Sequence, residues 1–246
     1  MKTTRNSLVF AVAALLSLPT TSANADFVGL NIGINHWAPA LSGSFNSGTD
    51  SSIETKSDLA INDPTQTSLV FILEHPIPIL PNVKYQSVDL ATSGNKALTT
   101  SQTFNGTTYS GNALSTFDLS HDDIALYYEV LDNWISLDLG VDLKLFDGRV
   151  GINGDNVAVD ATVPSLYISA KFDLPFTGFY AGANLMNLSI GDNTANDSTF
   201  LVGYESSVGL GIEGGVKAFS LDLNNAGNID TNIEYKGLYL NGFFHF

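Results

Sequence analysis

Residues 134–146 read WISLDLGVDLKLF. The odd positions 135–145 are all apolar, while the even ones carry Ser136, Asp138, Gly140, Asp142 and Lys144. Side chains alternate across a strand, so one face is greasy and the other bears three charges. A helix would scatter those charges around its circumference, so the pattern predicts a strand. The same two-residue period returns at 28–34, 124–130, 166–172 and 200–204.

Extending this period along the chain predicts ten strands, at 26–37, 66–75, 82–91, 113–131, 134–146, 162–173, 178–190, 198–206, 208–223 and 232–246. Eight is the alternative count, because the edges around 206–215 are ambiguous. The connections at 76–81, 132–133, 174–177 and 207 are short. Those at 38–65, 92–112, 147–161, 191–197 and 224–231 are mostly longer and rich in turn formers. Short and long linkers in alternation suit a transmembrane antiparallel up-and-down β-barrel, an all-β fold, better than a soluble β-sandwich. Trp37, Trp134, Phe146, Phe176 and Tyr180 fall near strand ends, where interfacial aromatic girdles are expected. Around Gly214-Gly215 the apolar phase switches from even (Val208, Leu210, Ile212) to odd (Phe219, Leu221, Leu223). That switch predicts a bulge or a tight turn at the glycine pair.

The first twenty-five residues have a different character. Lys2 and Arg5 precede an apolar run at 8–18, and Ala23-Asn24-Ala25 supplies a small-x-small cleavage pattern. This predicts a signal peptide at 1–25 and a mature barrel domain at 26–246, exported to the bacterial outer membrane. Its removal leaves eight basic against twenty-five acidic residues, a net charge of −17. Such a field argues against nucleic acid as a partner. No cysteine is present, so no disulfide framework holds the fold.

On the strand faces opposite lipid, Glu129, Asp138, Asp142, Lys144, Lys171 and Glu205 form a candidate polar network. A barrel of eight to ten strands leaves room mainly for side chains. The network is therefore expected to fill the lumen, with Lys144 and Lys171 neutralising nearby acids, and a small-solute path is the competing reading. Leu139 should face lipid and Gly140 the lumen, so Leu139→Arg should be harmful and Gly140→Ser tolerated. The terminal residue Phe246, with apolar residues alternating behind it, looks like a signal for the barrel assembly machinery. Outer-membrane lipids are the other expected partner, and small solutes the only ligands in view.

Other motifs carry less. Residues 209–214 match G-x-G-x-x-G formally, but no helix follows to receive a pyrophosphate, and no cofactor is expected. The four histidines have no metal-binding spacing. Asn153-Gly154-Asp155-Asn156 and residues 193–197 lack the bidentate acid of a calcium loop. His121-Asp122-Asp123 beside Ser120 or Ser115 would suit a lipid-modifying hydrolase, without a nucleophile elbow to support it. Pro76, Pro78 and Pro81 read as a stiff turn.

Glu74-His75-Pro76-Ile77-Pro78 with Leu80-Pro81-Asn82-Val83, and the run 126–140, resemble signatures of a family of small Gram-negative outer-membrane β-barrel proteins named for a Gly-Gly pair. Gly214-Gly215 and Phe246 extend the resemblance over most of the mature chain. It implies an outer-membrane barrel and no established activity. The leading reading is a non-enzymatic barrel, structural or passing small solutes. A lipid-modifying enzyme, and an adhesin or receptor acting through residues 38–65 and 92–112, are the alternatives.

Overall fold

A computed structural model describes residues 28–226 and 229–246, so the expected leader lies outside the described residues. Among the described residues ten antiparallel strands close on themselves. They are β1 (Gly29–Ser47), β2 (Gln66–Glu74), β3 (Asn82–Val88), β4 (His121–Asp132) and β5 (Ile135–Ile152). The others are β6 (Asp155–Asp173), β7 (Phe179–Ile190), β8 (Asn193–Glu205), β9 (Leu210–Ala226) and β10 (Ile229–His245). Each pairs with its sequence neighbours, and β10 returns to β1 in a ladder from Asn31↔His245 to Ser47↔Ile229. Closure removes every edge from the ring, and the count is ten rather than eight.

Outside the barrel, Ile34, Leu69, Val141, Leu166, Phe200 and Leu238 are exposed and form a continuous apolar belt. On β5 the belt occupies the outward positions of residues 135–145. At about 3.3 Å per residue and a tilt of about 40°, that stretch spans about 25 Å, the height of a membrane barrel's apolar band.

Beyond the belt the two faces exchange character. Asp147 and Arg149 on β5, Asp160 on β6, and Glu234 and Lys236 on β10 now point outward. Inside, Val150, Ile152, Phe219, Leu221, Ile233 and Tyr235 are buried in one apolar cluster. The upper barrel is thus built like a water-soluble one, with a greasy interior and a polar coat.

This inversion corrects several sequence expectations. Residues 147–161 and 191–197 are strand apart from tight turns, and 224–231 is strand on both sides of 227–228, which lie outside the described residues. Their polar outward positions imitate loop composition. The β5–β6 turn is Asn153-Gly154, with φ of 50° and 90°, the left-handed pair that two-residue hairpins favour. No bulge occurs at Gly214-Gly215, since both ladders of β9 run through it without a register shift. The apolar phase switches there because the lumen turns from polar to apolar while the strand keeps its faces. Of the expected girdle aromatics, Trp134 and Phe176 are exposed, whereas Trp37, Phe146 and Tyr180 are buried in the lumen.

The mouth of the upper barrel is filled by its own connections. Ile53, Leu59 and Ile61 from the segment after β1, and Phe104 from a small hairpin, are 0–1% exposed within the same cluster. Lys56 and Asp63 pin the first segment: Nζ lies 2.5 Å from Asp63 Oδ1, which also accepts from Leu41 N at 2.8 Å. Thr92–Ala97 pairs with Asn112–Asp118, which in turn pairs with the outer end of β5. The two outer connections therefore form an inward-folded cork.

Candidate functional site

Below the cork, inward positions on opposite walls meet in a charge bridge. Lys144 on β5 places Nζ 2.8 Å from Asp123 Oδ1, 3.6 Å from Asp142 Oδ2 and 3.5 Å from Asp197 Oδ2. Asp197 on β8 also lies 3.1 Å from Lys217 Nζ on β9. The bridge thus runs from β4 and β5 across the lumen to β8 and β9. Lys144 is 1% exposed and Asp142 is fully buried. A buried lysine of this kind requires paired carboxylates, because an isolated ammonium in a dry interior is prohibitively costly. Asp142 is held further by Ser165 Oγ, which donates at 3.1 Å.

Only Asp142 and Lys144 of the sequence-selected set belong to this bridge. Glu129, Asp138, Lys171 and Glu205 line a separate cavity of about 520 Å³ nearer the short-turn end. Lys171 lies 3.5 Å from Asp173 and above the Tyr180 ring, so it does not neutralise the bridge acids. Glu205 faces His245 Nδ1 at 3.2 Å. Phe246 extends the β10 seam: its N donates to Leu30 O at 2.8 Å on β1.

The lumen network expected from the sequence leaves out Asp123, Asp197, Lys217, Lys84 and Glu213. Asp123 sits one step out of phase with the greasy run 124–130, so its inward aim was visible. Asp197 was hidden in a supposed loop, and Lys217 by the supposed phase flip.

The cavity wall is strongly tyrosine-lined. Tyr127 OH donates to Glu74 at 2.8 Å, and Tyr180 OH and Asn241 Nδ2 donate to Glu213 at 2.8 and 3.0 Å. Lys84 sits over the Tyr167 ring at 5.8 Å. Several tyrosines and Phe243 face glycines on the next strand, as in Tyr180↔Gly203 and Phe243↔Gly211. The Tyr180 and Phe243 rings occupy the space that the missing side chains of Gly203 and Gly211 leave.

The hydrolase arrangement is not assembled. His121 is buried between Phe146 and Phe219, its Nδ1 2.9 Å from Leu119 O and its Nε2 3.7 Å from Asp123. Ser120 Oγ donates instead to Asp118 at 2.6 Å. Gly209 closes the turn before β9 and residues 210–214 open that strand, so no helix follows the glycines.

The proline-rich turn has a local explanation. His75 N donates to Asn82 Oδ1 at 3.0 Å, and Ile77 N donates to His75 Nδ1 at 3.3 Å. With Nδ1 accepting, Nε2 carries the hydrogen and donates to Pro81 O at 3.1 Å. His75 and Asn82 therefore staple a turn in which three prolines lack donors.

No family model and no curated protein matches the chain. Among solved structures, it is similar to the CymD monoaromatic hydrocarbon channel at 8% identity and a TM-score of 0.35, over 89% of this chain and 88% of that one. A Pseudomonas aeruginosa FadL homologue gives 8% and 0.36, over 89% and 90%. The outer membrane protein OprG from Pseudomonas aeruginosa gives 11% and 0.29, over 89% and 95%. At such low identities and TM-scores these likenesses add nothing to the fold read from strand pairing.

Proposed function

We propose that the chain is a non-enzymatic barrel of the bacterial outer membrane, exported with loss of residues 1–25, whose lumen is closed by its own side chains. The observation that carries this reading is the bridge of Lys144, Lys217, Asp123, Asp142 and Asp197, which joins opposite walls while almost wholly buried. The apolar cork above it supports the same conclusion, since ions crossing it would lose their hydration without compensation. Proteoliposomes containing the purified protein should not swell in small sugars or amino acids beyond protein-free controls. Swelling that rises with protein content would contradict a closed lumen.

A second reading, gated passage of small solutes, draws on one observation. The cavity below the bridge is open at the short-turn end, so displacing bridge and cork would join it to the outside. In that reading, truncating the cork at 48–65 together with Lys144→Met in the bridge would turn the barrel permeable, and the intact protein would still not swell liposomes.

A further inference from the structure

The four short connections lack what turns at a water-exposed end normally carry. Residues 75–81, 133–134, 174–178 and 206–209 contain no Asp, Glu, Lys or Arg. Each instead presents a large apolar side chain to the outside: Ile79 and Leu80 on the first, Trp134 on the second, Phe176 on the third and Val208 on the fourth. Turns at the opposite end are polar, as in Asn153-Gly154 and Gly191-Asp192. A single exposed apolar residue needs no explanation, but one on every short turn does.

Two details show that this surface is held in place. Phe176 has a φ of 68°, a left-handed conformation that a bulky side chain adopts only at a cost. Its ring is fully exposed, so packing within the chain does not repay that cost. Tyr128 stands on the outer wall opposite Leu139, and its hydroxyl donates to Ile79 O at 2.9 Å. That bond ties the proline-rich turn to the lipid-facing wall.

The surface is also continuous with the apolar belt. At the base of the belt Trp134 meets Phe172 edge to face at 5.5 Å, and Phe179 meets Tyr204 at 4.9 Å. All four rings are exposed, as girdle aromatics at the edge of the hydrocarbon are. Beyond that edge the headgroup layer is about 5–8 Å deep on each side. A turn running two residues out and two back reaches about 7 Å. The turns therefore end within the headgroup layer and not beyond it.

We propose that the short turns are embedded in the phospholipid leaflet at their end of the barrel, which covers Ile79, Phe176 and Val208 and sets the cavity mouth among the headgroups. This rests on the reading of the chain as a membrane barrel. Burial of apolar surface drives the embedding, since no basic residue lies on these turns to recruit anionic lipid.

The chain has no cysteine, so single cysteines can carry a nitroxide in the full barrel reconstituted into phosphatidylcholine vesicles. Ile79→Cys, Phe176→Cys and Val208→Cys report on three separate turns, Leu139→Cys on the belt and Glu234→Cys on the outer coat. Heat-modifiable migration checks that each variant folds. Power saturation then compares collisions with oxygen, which concentrates in lipid, and with a water-soluble nickel chelate. The oxygen-to-nickel ratio at 79, 176 and 208 should be several-fold above that at 234 and below that at 139. Turn ratios equal to the ratio at 234 would place the turns in water, open to a soluble partner, and would overturn the assignment. Low nickel collisions with dipolar broadening that disappears on dilution with unlabelled barrel would make the surface a contact between copies, which overturns it too. An aqueous ratio at 139 would instead contradict the membrane reading itself.

Discussion

Gly140 shows how much a single inward position can constrain. A Cβ built there would collide with Leu126 O and lie 2.6 Å from the Tyr127 Cα on β4. The expectation that Gly140→Ser is harmless, drawn from its lumen-facing side alone, is therefore wrong. The lumen side of a small barrel is packed, not open. Gly140→Ser should abolish heat-modifiable folding on gels, whereas Gly242→Ala, with nothing within 4 Å, should fold normally. Charge at the bridge follows a similar logic. Its two lysines face three aspartates, so Lys144→Met strands acids in a dry site and should cost about 3–5 kcal/mol in denaturant unfolding. Asp142→Asn leaves two lysines against two aspartates and keeps the Lys144–Asp123 contact, so its cost should be distinctly smaller. Equal losses would mean that the bridge is not a net-negative unit. Asp142 and Lys144 were readable because strand 134–146 keeps a strict period; Lys217 was not, because the greasy residues after it face inward.

Each strand carries two environments along its length, and this limits what a pattern can reveal. Where lipid lies outside and polar groups inside, the period gave the strands within a few residues. In the outer halves of β5 and β6, polar residues face out and apolar ones in, so residues 147–161 looked like a loop. The inward cork at 48–65 was equally hidden, since nothing local says that Ile53, Leu59 and Ile61 turn back into the mouth. Leu139, the third of the outward belt positions on β5, tests the lower environment. Leu139→Arg places a charge near mid-membrane and should cost about 2–4 kcal/mol, read from unfolding in lipid vesicles. Phe117, 1% exposed in the upper cluster, tests the other. Phe117→Ala should cost about 3–5 kcal/mol by the same measurement. A negligible effect would mean that the upper barrel is not a packed core. The two tryptophans report independently: Trp37 is fully buried, and Trp134 is 56% exposed at the short-turn end. In Trp134→Phe, the remaining emission should be blue-shifted and insensitive to acrylamide.

For the whole barrel, the ring of ten strands, the apolar belt, the transverse bridge and the cork act as one object. Closure depends on the long β1–β10 seam, whose last contact is the Phe246–Leu30 hydrogen bond. Deleting Phe246 should reduce the fraction recovered as heat-modifiable barrel in membranes, and full recovery would remove its proposed role in assembly. The ring itself was legible because closure needs only strand count and alternation. A lumen filled by side chains was also expected from the barrel's size, but which residues fill it was only partly legible, because the bridge depends on residues from β4, β5, β8 and β9 meeting across the lumen. Single-channel recording of the purified protein in planar lipid bilayers bears on that sealing directly. A lumen spanned by the Lys144 bridge and capped by the cork should give no stable conductance steps above the bare bilayer. Reproducible steps from the unmodified protein, with ion selectivity that shifts in Asp142→Asn, would contradict it and make the lumen an open path.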